Sequence, residues 1–111
     1  KDLFVVQVIG ESMNKRIPNG SYCLFKKTIG GSRQGKIVLV EHLKIRDVDF
    51  GGNYTVKKYS SKKKYLEDGT WEHKEITLHP DTTAEGYESI TLKQEEAGKL
   101  KVIAEFVAVI G

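Results

Sequence analysis

Short apolar runs, separated by clusters of glycine, proline and polar residues, are the main pattern along this chain. The runs have the length of strands, and several are rich in β-branched or aromatic residues, which pack well on a pleated surface. Turn residues bound most of them. The pattern predicts a mostly β fold with strands at 3–9, 21–26, 35–42, 54–59, 62–66, 70–74, 76–79, 90–92 and 101–110.

The first and last strands are the most apolar. The run 3–9 is interrupted only by Gln7, which predicts a strand covered on both faces. The run 101–110 favours either a central strand or one buried against a second copy of the chain. The stretch 43–50 is charged and fits either a surface loop or an edge strand, and 94–99 predicts a charged turn.

A serine stands at the junction after the first strand. Gly10 stops the apolar run, Ser12 follows two residues later, and Pro18-Asn19-Gly20 predicts a turn before the next strand. Such a serine has its hydroxyl displayed and backbone N–H groups free beside it, which is the layout of a nucleophile with an oxyanion hole. The pattern alone is weak, because most Gly-x-Ser turns are only turns.

A lysine in the middle of a strand is the second candidate. Alternation over 54–59 puts Tyr54 and Val56 on one face, and Thr55, Lys57 and Tyr59 on the other. A lysine carried into a partly buried position is desolvated, which disfavours its charged form and lets it accept a proton from serine. The alternative is a solvated strand lysine.

Six stretches, in this order and covering nearly the whole chain, resemble the LexA-type self-cleaving peptidase domain. This is the catalytic module of LexA, of phage repressors such as the lambda repressor and of UmuD-type proteins, and it is more distantly similar to type I signal peptidases. One departure is Ser21, where the family usually has an acidic residue. The stretches are Val8-Ile9-Gly10-Glu11-Ser12-Met13, Ile17-Pro18-Asn19-Gly20-Ser21-Tyr22, Gly35-Lys36-Ile37-Val38-Leu39-Val40, Tyr54-Thr55-Val56-Lys57-Lys58-Tyr59, Ile76-Thr77-Leu78-His79-Pro80-Asp81 and Ile103-Ala104-Glu105-Phe106-Val107-Ala108-Val109-Ile110.

The resemblance implies a compact β fold like the LexA C-terminal domain. The length of the chain fits a single domain over 1–111, and the turn signal at Asp68-Gly69 adds a projecting β-hairpin. The resemblance implies Ser12 as nucleophile and Lys57 as general base. Backbone N–H groups of Glu11 and Ser12 would form the oxyanion hole, and Gly10 and Met13 would support the turn. A loop after Pro80 would lie near the site.

The resemblance also implies partners. The substrate would be the protein's own segment N-terminal to the domain, cut at a bond between a small residue and glycine. The one Ala-Gly pair, Ala97-Gly98, lies downstream and is not expected to be that bond. Residue 1 is Lys1, so we expect a fragment of a longer protein. A homodimer, a RecA-type filament as activator, and DNA bound through a missing N-terminal domain would belong to a stress (SOS) or prophage regulator.

Composition and charge narrow the partners and the cellular compartment that the sequence predicts. A net charge of +3 is mildly basic and does not by itself imply nucleic acid. The lone Cys23 excludes an internal disulfide and fits a reducing compartment, so we expect a cytoplasmic protein. No apolar run has the length of a transmembrane helix, so no membrane partner is expected. The glycine-rich stretch 28–34 predicts a flexible loop.

A charged ribbon offers another function. Asp68-Gly69 predicts a two-residue hairpin turn between strands 62–66 and 70–74. Lys62, Lys63 and Lys64 interleave with aromatic rings that include Trp71, which is a candidate nucleic-acid surface. The alternative is a solvated edge whose lysines discourage strand aggregation.

The sequence gives little support to a metal site or to a catalytic triad that uses a histidine. His42, His73 and His79 show no metal-ligand spacing with Cys23, and no cofactor is expected. A triad of Ser12 with His79 and Asp81 is awkward, because the last two are adjacent on one strand end. Three functions stay open: a serine–lysine peptidase module, a non-catalytic LexA-like dimerisation domain, and a nucleic-acid-binding β domain.

Overall fold

The computed structural model describes residues 2–27, 32–47 and 49–111, and the side chains of 72–74 lie outside the described part. Within it are seven strands and one short helix. That helix is far too short to cross a bilayer. The elements are β1 (Leu3–Val8), β2 (Ser21–Lys26), β3 (Ile37–Glu41), β4 (Tyr54–Tyr65), β5 (Trp71–His79), β6 (Ile90–Lys93), α1 (Glu95–Gly98) and β7 (Lys101–Val109).

The strands form one antiparallel sheet in the order β1-β2-β7-β3-β4-β5-β6. The prediction of a mostly β fold is confirmed. β7 lies between β2 and β3, so of the two alternatives for the last strand the central position is the one observed. Residues 43–47 and 49–50 form turns and irregular backbone, which agrees with the loop alternative.

The core has two parts that share β3. Successive side chains of a strand point to opposite faces of the sheet. Ile37 and Leu39 accordingly join one cluster, whereas Val38 and Val40 join the other. The first cluster also holds Val8, Met13, Ile17, Cys23, Phe25, Val56 and Ala104, and the second holds Ile45, Tyr59, Ile76, Leu78, Leu92 and Ala97. β3 is therefore buried on both sides, as its β-branched sequence predicts.

The expectation that the first strand is covered on both faces is wrong. Leu3 and Val5 are about half exposed, at 50% and 52%, whereas Phe4 and Val6 pack on the first cluster. β1 is the first strand in the sheet order. The exposure of Leu3 and Val5 shows that its outer face carries no further layer of the described chain. β1 therefore has apolar residues on both faces, as a doubly covered strand does, but only one of its faces is buried.

The predicted ribbon exists, with a longer turn. β4 continues without a break from Tyr54 to Tyr65 and pairs with β5. The N–H of Leu66 donates to the carbonyl of Thr70, so three residues form the loop where a two-residue turn was predicted. Gly69 takes the left-handed conformation (φ +85°) that a three-residue hairpin loop requires. The predicted glycine-rich loop lies partly outside the described residues, because 28–31 are not described.

Candidate active site

The turn that carries Ser12 begins where β1 ends. Gly10 takes a φ of +109°, which favours glycine, and its N–H donates to the Asn19 side chain at 2.7 Å. A Cβ added at Gly10 would lie 2.7 Å from the Cβ of Asp49. The backbone just before Ser12 therefore passes very close to the loop that precedes β4.

Met13 and Ile17 attach this turn to the core. Both side chains are almost fully buried in the first cluster, and the Ile17 N–H donates to the Met13 carbonyl at 2.7 Å. Burying two apolar side chains within one short segment favours a turn that folds onto the sheet. The structure thus places the Met13 side chain in the core, next to the turn that it was predicted to support.

Lys57 reaches the serine from β4. It pairs with Val38 across the ladder, and its side chain shares a face with Thr55 and Tyr59, as the alternation indicated. The residue is only 4% exposed. Its Nζ lies 3.0 Å from the Oγ of Ser12, so two residues 45 positions apart in sequence are in hydrogen-bond contact.

Three further groups surround the Lys57 amine. The hydroxyl oxygen of Thr55 lies 2.6 Å from Nζ, and the carbonyl of Val56 lies 3.2 Å from it. The carboxylate of Asp47 is 3.6 Å away. An ammonium group offers three donors. The site therefore supplies more polar partners than the amine has hydrogens, and this is what makes burial of a lysine tolerable.

Burial lowers the pKa of Lys57 below its ordinary value, because desolvation disfavours the ammonium form. The charges of Asp47 and Asp49 oppose this effect without cancelling it. For Asp47, burial alone raises the pKa of the carboxyl. Hydrogen bonds from the Phe50 N–H and the Thr55 hydroxyl, together with the nearby Lys57, outweigh burial and lower it. Asp47 therefore stays a carboxylate while the lysine becomes easier to deprotonate.

The two backbone N–H groups predicted to form the oxyanion hole differ in whether they already have an acceptor. The N–H of Glu11, a predicted oxyanion donor, points to the Tyr87 hydroxyl at a long 3.4 Å. The N–H of Ser12, the other predicted donor, has no acceptor within the described part of the chain. The Tyr87 hydroxyl in turn donates to Asp49 at 2.8 Å. A substrate oxygen at this point would meet one free donor and one weakly engaged donor.

The loop 80–89 lies against the serine turn, as the resemblance implied. The N–H of Asp81 donates to the Ser12 carbonyl at 2.9 Å, and the Lys15 N–H donates to the Asp81 carbonyl at 3.1 Å. The Thr82 hydroxyl donates to the Glu11 carbonyl at 2.6 Å. This reciprocal pairing attaches the turn that carries Ser12 to the loop 80–89.

A cavity of about 250 Å³ opens beside the amine of Lys57. Asp47, Asp49, Thr55 and Tyr87 line it together with the lysine. Sequence reasoning assigned none of these four to the site. The position of Thr55, two residues before the lysine on the same strand face, was a usable signal. Asp47 and Asp49 lie in a loop without periodicity, so the sequence pattern gave no signal for them.

The ribbon residues lie apart from the lining of this cavity. Lys62, Lys63 and Lys64 are exposed, and the ammonium of Lys63 lies 4.1 Å from the ring centroid of Trp71. A groove of about 540 Å³ runs beside them and is also lined by Arg33. The structure thus gathers basic and aromatic side chains on the ribbon, at a separate surface from Ser12 and Lys57.

The histidines serve other contacts. His79 lies between the hydroxyls of Ser60 (2.8 Å) and Ser89 (3.2 Å), and neither of these is Ser12. The buried His42 lies 2.8 Å from the carbonyl of Glu96. The side chain of His73 is outside the described residues. Across the described residues, no group of three or more histidine, cysteine or acidic residues is placed to hold a metal ion.

Comparison with known families shows a match. The model of the family described as Peptidase S24-like matches residues 1–107. No curated protein matches the chain. The matched range takes in Ser12, Lys57 and every described residue that contacts either side chain.

Replacing Gly10 by alanine should destabilise the fold more than the same change at Gly69. Both glycines have positive φ, so both variants incur backbone strain of about 1–3 kcal/mol. Only at Gly10 does the new Cβ meet Asp49, whereas nothing lies within 4 Å at Gly69. Urea unfolding of both variants measures the difference. Equal losses would show that the contact with Asp49 does not constrain the turn.

The stability of the wild type relative to Lys57→Met should rise as the pH increases from 7 to 10. The folded-state pKa of Lys57 is lowered, so between that value and the ordinary lysine pKa, about 10.4, the unfolded chain binds more protons than the folded chain. In that window, raising the pH favours the folded wild type, and the variant lacks this contribution. Urea midpoints at several pH values test the trend, and a flat difference would contradict it.

Proposed function

The chain belongs to the Peptidase S24-like family, and on that premise we propose that Ser12 and Lys57 form the catalytic dyad of a serine peptidase module that cuts the longer protein containing it. Family membership supports a self-cleaving, peptidase-class module. The observation that carries the finer assignment is the 3.0 Å contact between the Ser12 hydroxyl and the amine of a buried lysine. A solvated lysine would remain charged at neutral pH and could not act as base.

The proposed reaction begins with neutral Lys57. Its Nζ takes the proton of Ser12 as the Oγ attacks a peptide carbonyl carbon and forms the C–O bond. The N–H groups of Ser12 and Glu11 hold the oxyanion, for which Glu11 must exchange its long bond to Tyr87. The ammonium then gives its proton to the leaving nitrogen as the C–N bond breaks. Water hydrolyses the Ser12 ester, with Lys57 again acting as base.

The substrate proposed is a segment N-terminal to the domain in the longer protein, cut between a small residue and glycine. The Ala97-Gly98 bond does not fit, because it lies in α1 with Ala97 buried in the second cluster. In this proposal the longer protein is a DNA-binding regulator of a stress (SOS) or prophage response, in the cytoplasm, and a RecA-type filament triggers cleavage. These partners rest on the resemblance alone.

Autocleavage of the full-length parent protein tests the dyad. Wild type, incubated at rising alkaline pH, should yield a new fragment by mass, and faster as more Lys57 becomes neutral. Ser12→Ala and Lys57→Ala should stay intact. Lys58→Ala is the matched control, since this neighbour points to the opposite face of β4, and it should still cut.

An intact wild type at every pH, with no cutting after addition of an activating filament, would refute the peptidase proposal. The non-catalytic dimerisation domain would then be the better account. Cutting that persists in Ser12→Ala would instead place the nucleophile elsewhere.

We also propose that the module forms a homodimer through the outer face of β1, β2 and β7. Leu3, Val5, Tyr22 and Val107 are apolar or aromatic, and each is about half exposed. The first three lie on adjacent strands at alternating positions that share one face. A second copy would cover this face, which the sheet itself leaves open.

Sedimentation of Val5→Lys tests the dimer. A charge in the covered face should shift the protein to the monomer, because it would be buried without a partner. Leu43→Lys is the control, since Leu43 is the most exposed large apolar residue of the described part of the chain and lies in the loop after β3, outside the strands of the proposed face. Identical dimers for both variants would rule out this face.

The ribbon supports a second candidate function, single-stranded nucleic-acid binding. The supporting observation is the groove where Arg33 and Lys63 lie beside Tyr65 and Trp71. Against it, the Lys63 ammonium already lies over the Trp71 ring, so a base would have to displace it in order to stack there. Salt-dependent DNA affinity that is lost when all three lysines at 62–64 become alanine would establish this function.

A further inference from the structure

The Asp47 carboxylate lies 3.6 Å from the amine of Lys57, yet the proposed reaction does not use it. It comes from the loop between β3 and β4, whereas Thr55 and Lys57 lie on β4. It is mostly buried, with a side chain 14% exposed. A buried carboxylate at this distance from a catalytic base needs a reason, since burying a charge is costly.

The two oxygens of Asp47 have different partners. Oδ1 accepts the backbone N–H groups of Asp49 (3.0 Å) and Phe50 (2.8 Å), which fix the carboxylate in its own loop. Oδ2 accepts the hydroxyl hydrogen of Thr55 at 2.6 Å and lies 3.6 Å from the Lys57 amine. One oxygen thus anchors the group, and the other faces the dyad.

This arrangement sets the direction of the Thr55 hydroxyl. A hydroxyl has one hydrogen to donate and two lone pairs with which to accept. Because a carboxylate can only accept, the single hydrogen of Thr55 must point to Asp47. The Thr55 oxygen, 2.6 Å from Nζ, is then available to Lys57 only as an acceptor.

The direction of the Thr55 hydroxyl determines which hydrogen bonds Lys57 makes once its amine is neutral. A neutral amine has two hydrogens and one lone pair. The Thr55 oxygen and the Val56 carbonyl accept the two hydrogens, at 2.6 and 3.2 Å. The remaining neighbour within hydrogen-bond distance is the Ser12 hydroxyl at 3.0 Å. The lone pair is therefore directed at the proton that it must remove.

We propose that Asp47 is a positioning residue of the dyad, which orients the Thr55 hydroxyl so that neutral Lys57 presents its lone pair to Ser12. This inference rests on the proposed peptidase function and deepens it. Asp47 does not touch the reacting atoms, and it acts through Thr55.

Asp47 has a second, opposing effect through its charge. It stabilises the ammonium form and so raises the pKa of Lys57, although burial still dominates and the net shift is downward. Asp49 acts in the same direction. The other charged or titratable side chains that line the cavity beside the amine are Arg46, Tyr87 and Glu88. Orientation affects the limiting rate, whereas charge affects the pH at which the rate rises, so the two effects are separable.

Asp47→Asn is the sharpest test, because it preserves the shape. With its Oδ1 still held by the two backbone N–H groups, the asparagine would present an NH₂ donor to Thr55. The hydroxyl would then turn its hydrogen toward Lys57 and compete with Ser12 for the lone pair. We expect the first-order autocleavage rate at the alkaline plateau to fall roughly 10- to 100-fold, the range for small losses of catalytic alignment. The midpoint of the pH–rate profile should shift to lower pH.

The same measurements on three further variants of the full-length protein complete the test. Thr55→Val should lower the plateau, Thr55→Ser should restore it, and Asp47→Asn should cause no further loss in the Thr55→Val background. Asp68→Asn is the matched control, since Asp68 also accepts a threonine hydroxyl but at the ribbon tip, and it should cut at the wild-type rate. Thermal melts confirm that each variant is folded.

Several results would overturn the inference. These are an Asp47→Asn plateau at or above that of wild type, a Thr55→Val plateau equal to that of wild type, or additive losses in the double variant. The Thr55 pair keeps the test decisive even if Asp47→Asn does not fold. Failure of the proposed function is distinguishable, since wild type itself would then not cut. NMR titration of Lys57 in the Ser12→Ala protein still measures whether Asp47→Asn lowers its pKa.

Discussion

The buried amine of Lys57 is the constraint to which the rest of the structure responds. Desolvating an amine costs free energy unless polar groups replace the lost water. Here the replacement comes from its own strand, through Thr55 and Val56, from the loop before that strand, through Asp47, and from the serine turn. Removing any one of these takes away part of the polar environment that replaces the lost water. The site and the local stability of the fold are therefore coupled.

The doubly buried β3 explains how three distant segments meet. It pairs with β4 on one side and β7 on the other, and it contributes side chains to both apolar clusters. The first cluster holds the serine turn through Met13, and the second includes Tyr59 and Ile45, which bracket the lysine and the acidic loop in sequence. Packing on the two faces thus positions Ser12 and Lys57 from opposite sides of one sheet.

Much of this arrangement could be predicted from alternation alone. The pattern gave β2 with the bounds that the structure shows, and it placed Thr55 and Lys57 on one face. Prediction from alternation failed where the burial or the position of a residue depends on which other segments pack against it. Val5 is as apolar as a core residue, but nothing in the sequence says that no further layer of the described chain covers the outer face of β1. Asp47 reaches the site only through tertiary folding of an irregular loop, and the hairpin loop is one residue longer than Asp68-Gly69 indicates.

The pairing of Val38 with Lys57 and of Val40 with Thr55 has a consequence for how the chain assembles. A ladder that slipped by one residue would turn every side chain of β4 to the other face. Because Lys58 follows Lys57, the slipped strand would still offer an amine to the serine, but Val56 would replace the hydroxyl beside it. A lysine amine would lie near Ser12 in both registers. Only the correct register also places a threonine hydroxyl, from two residues earlier, beside that amine. Under the proposed function, the contact between Ser12 and Lys57 would thus report that the sheet has closed in its proper register, and a misassembled copy would leave its own chain uncut.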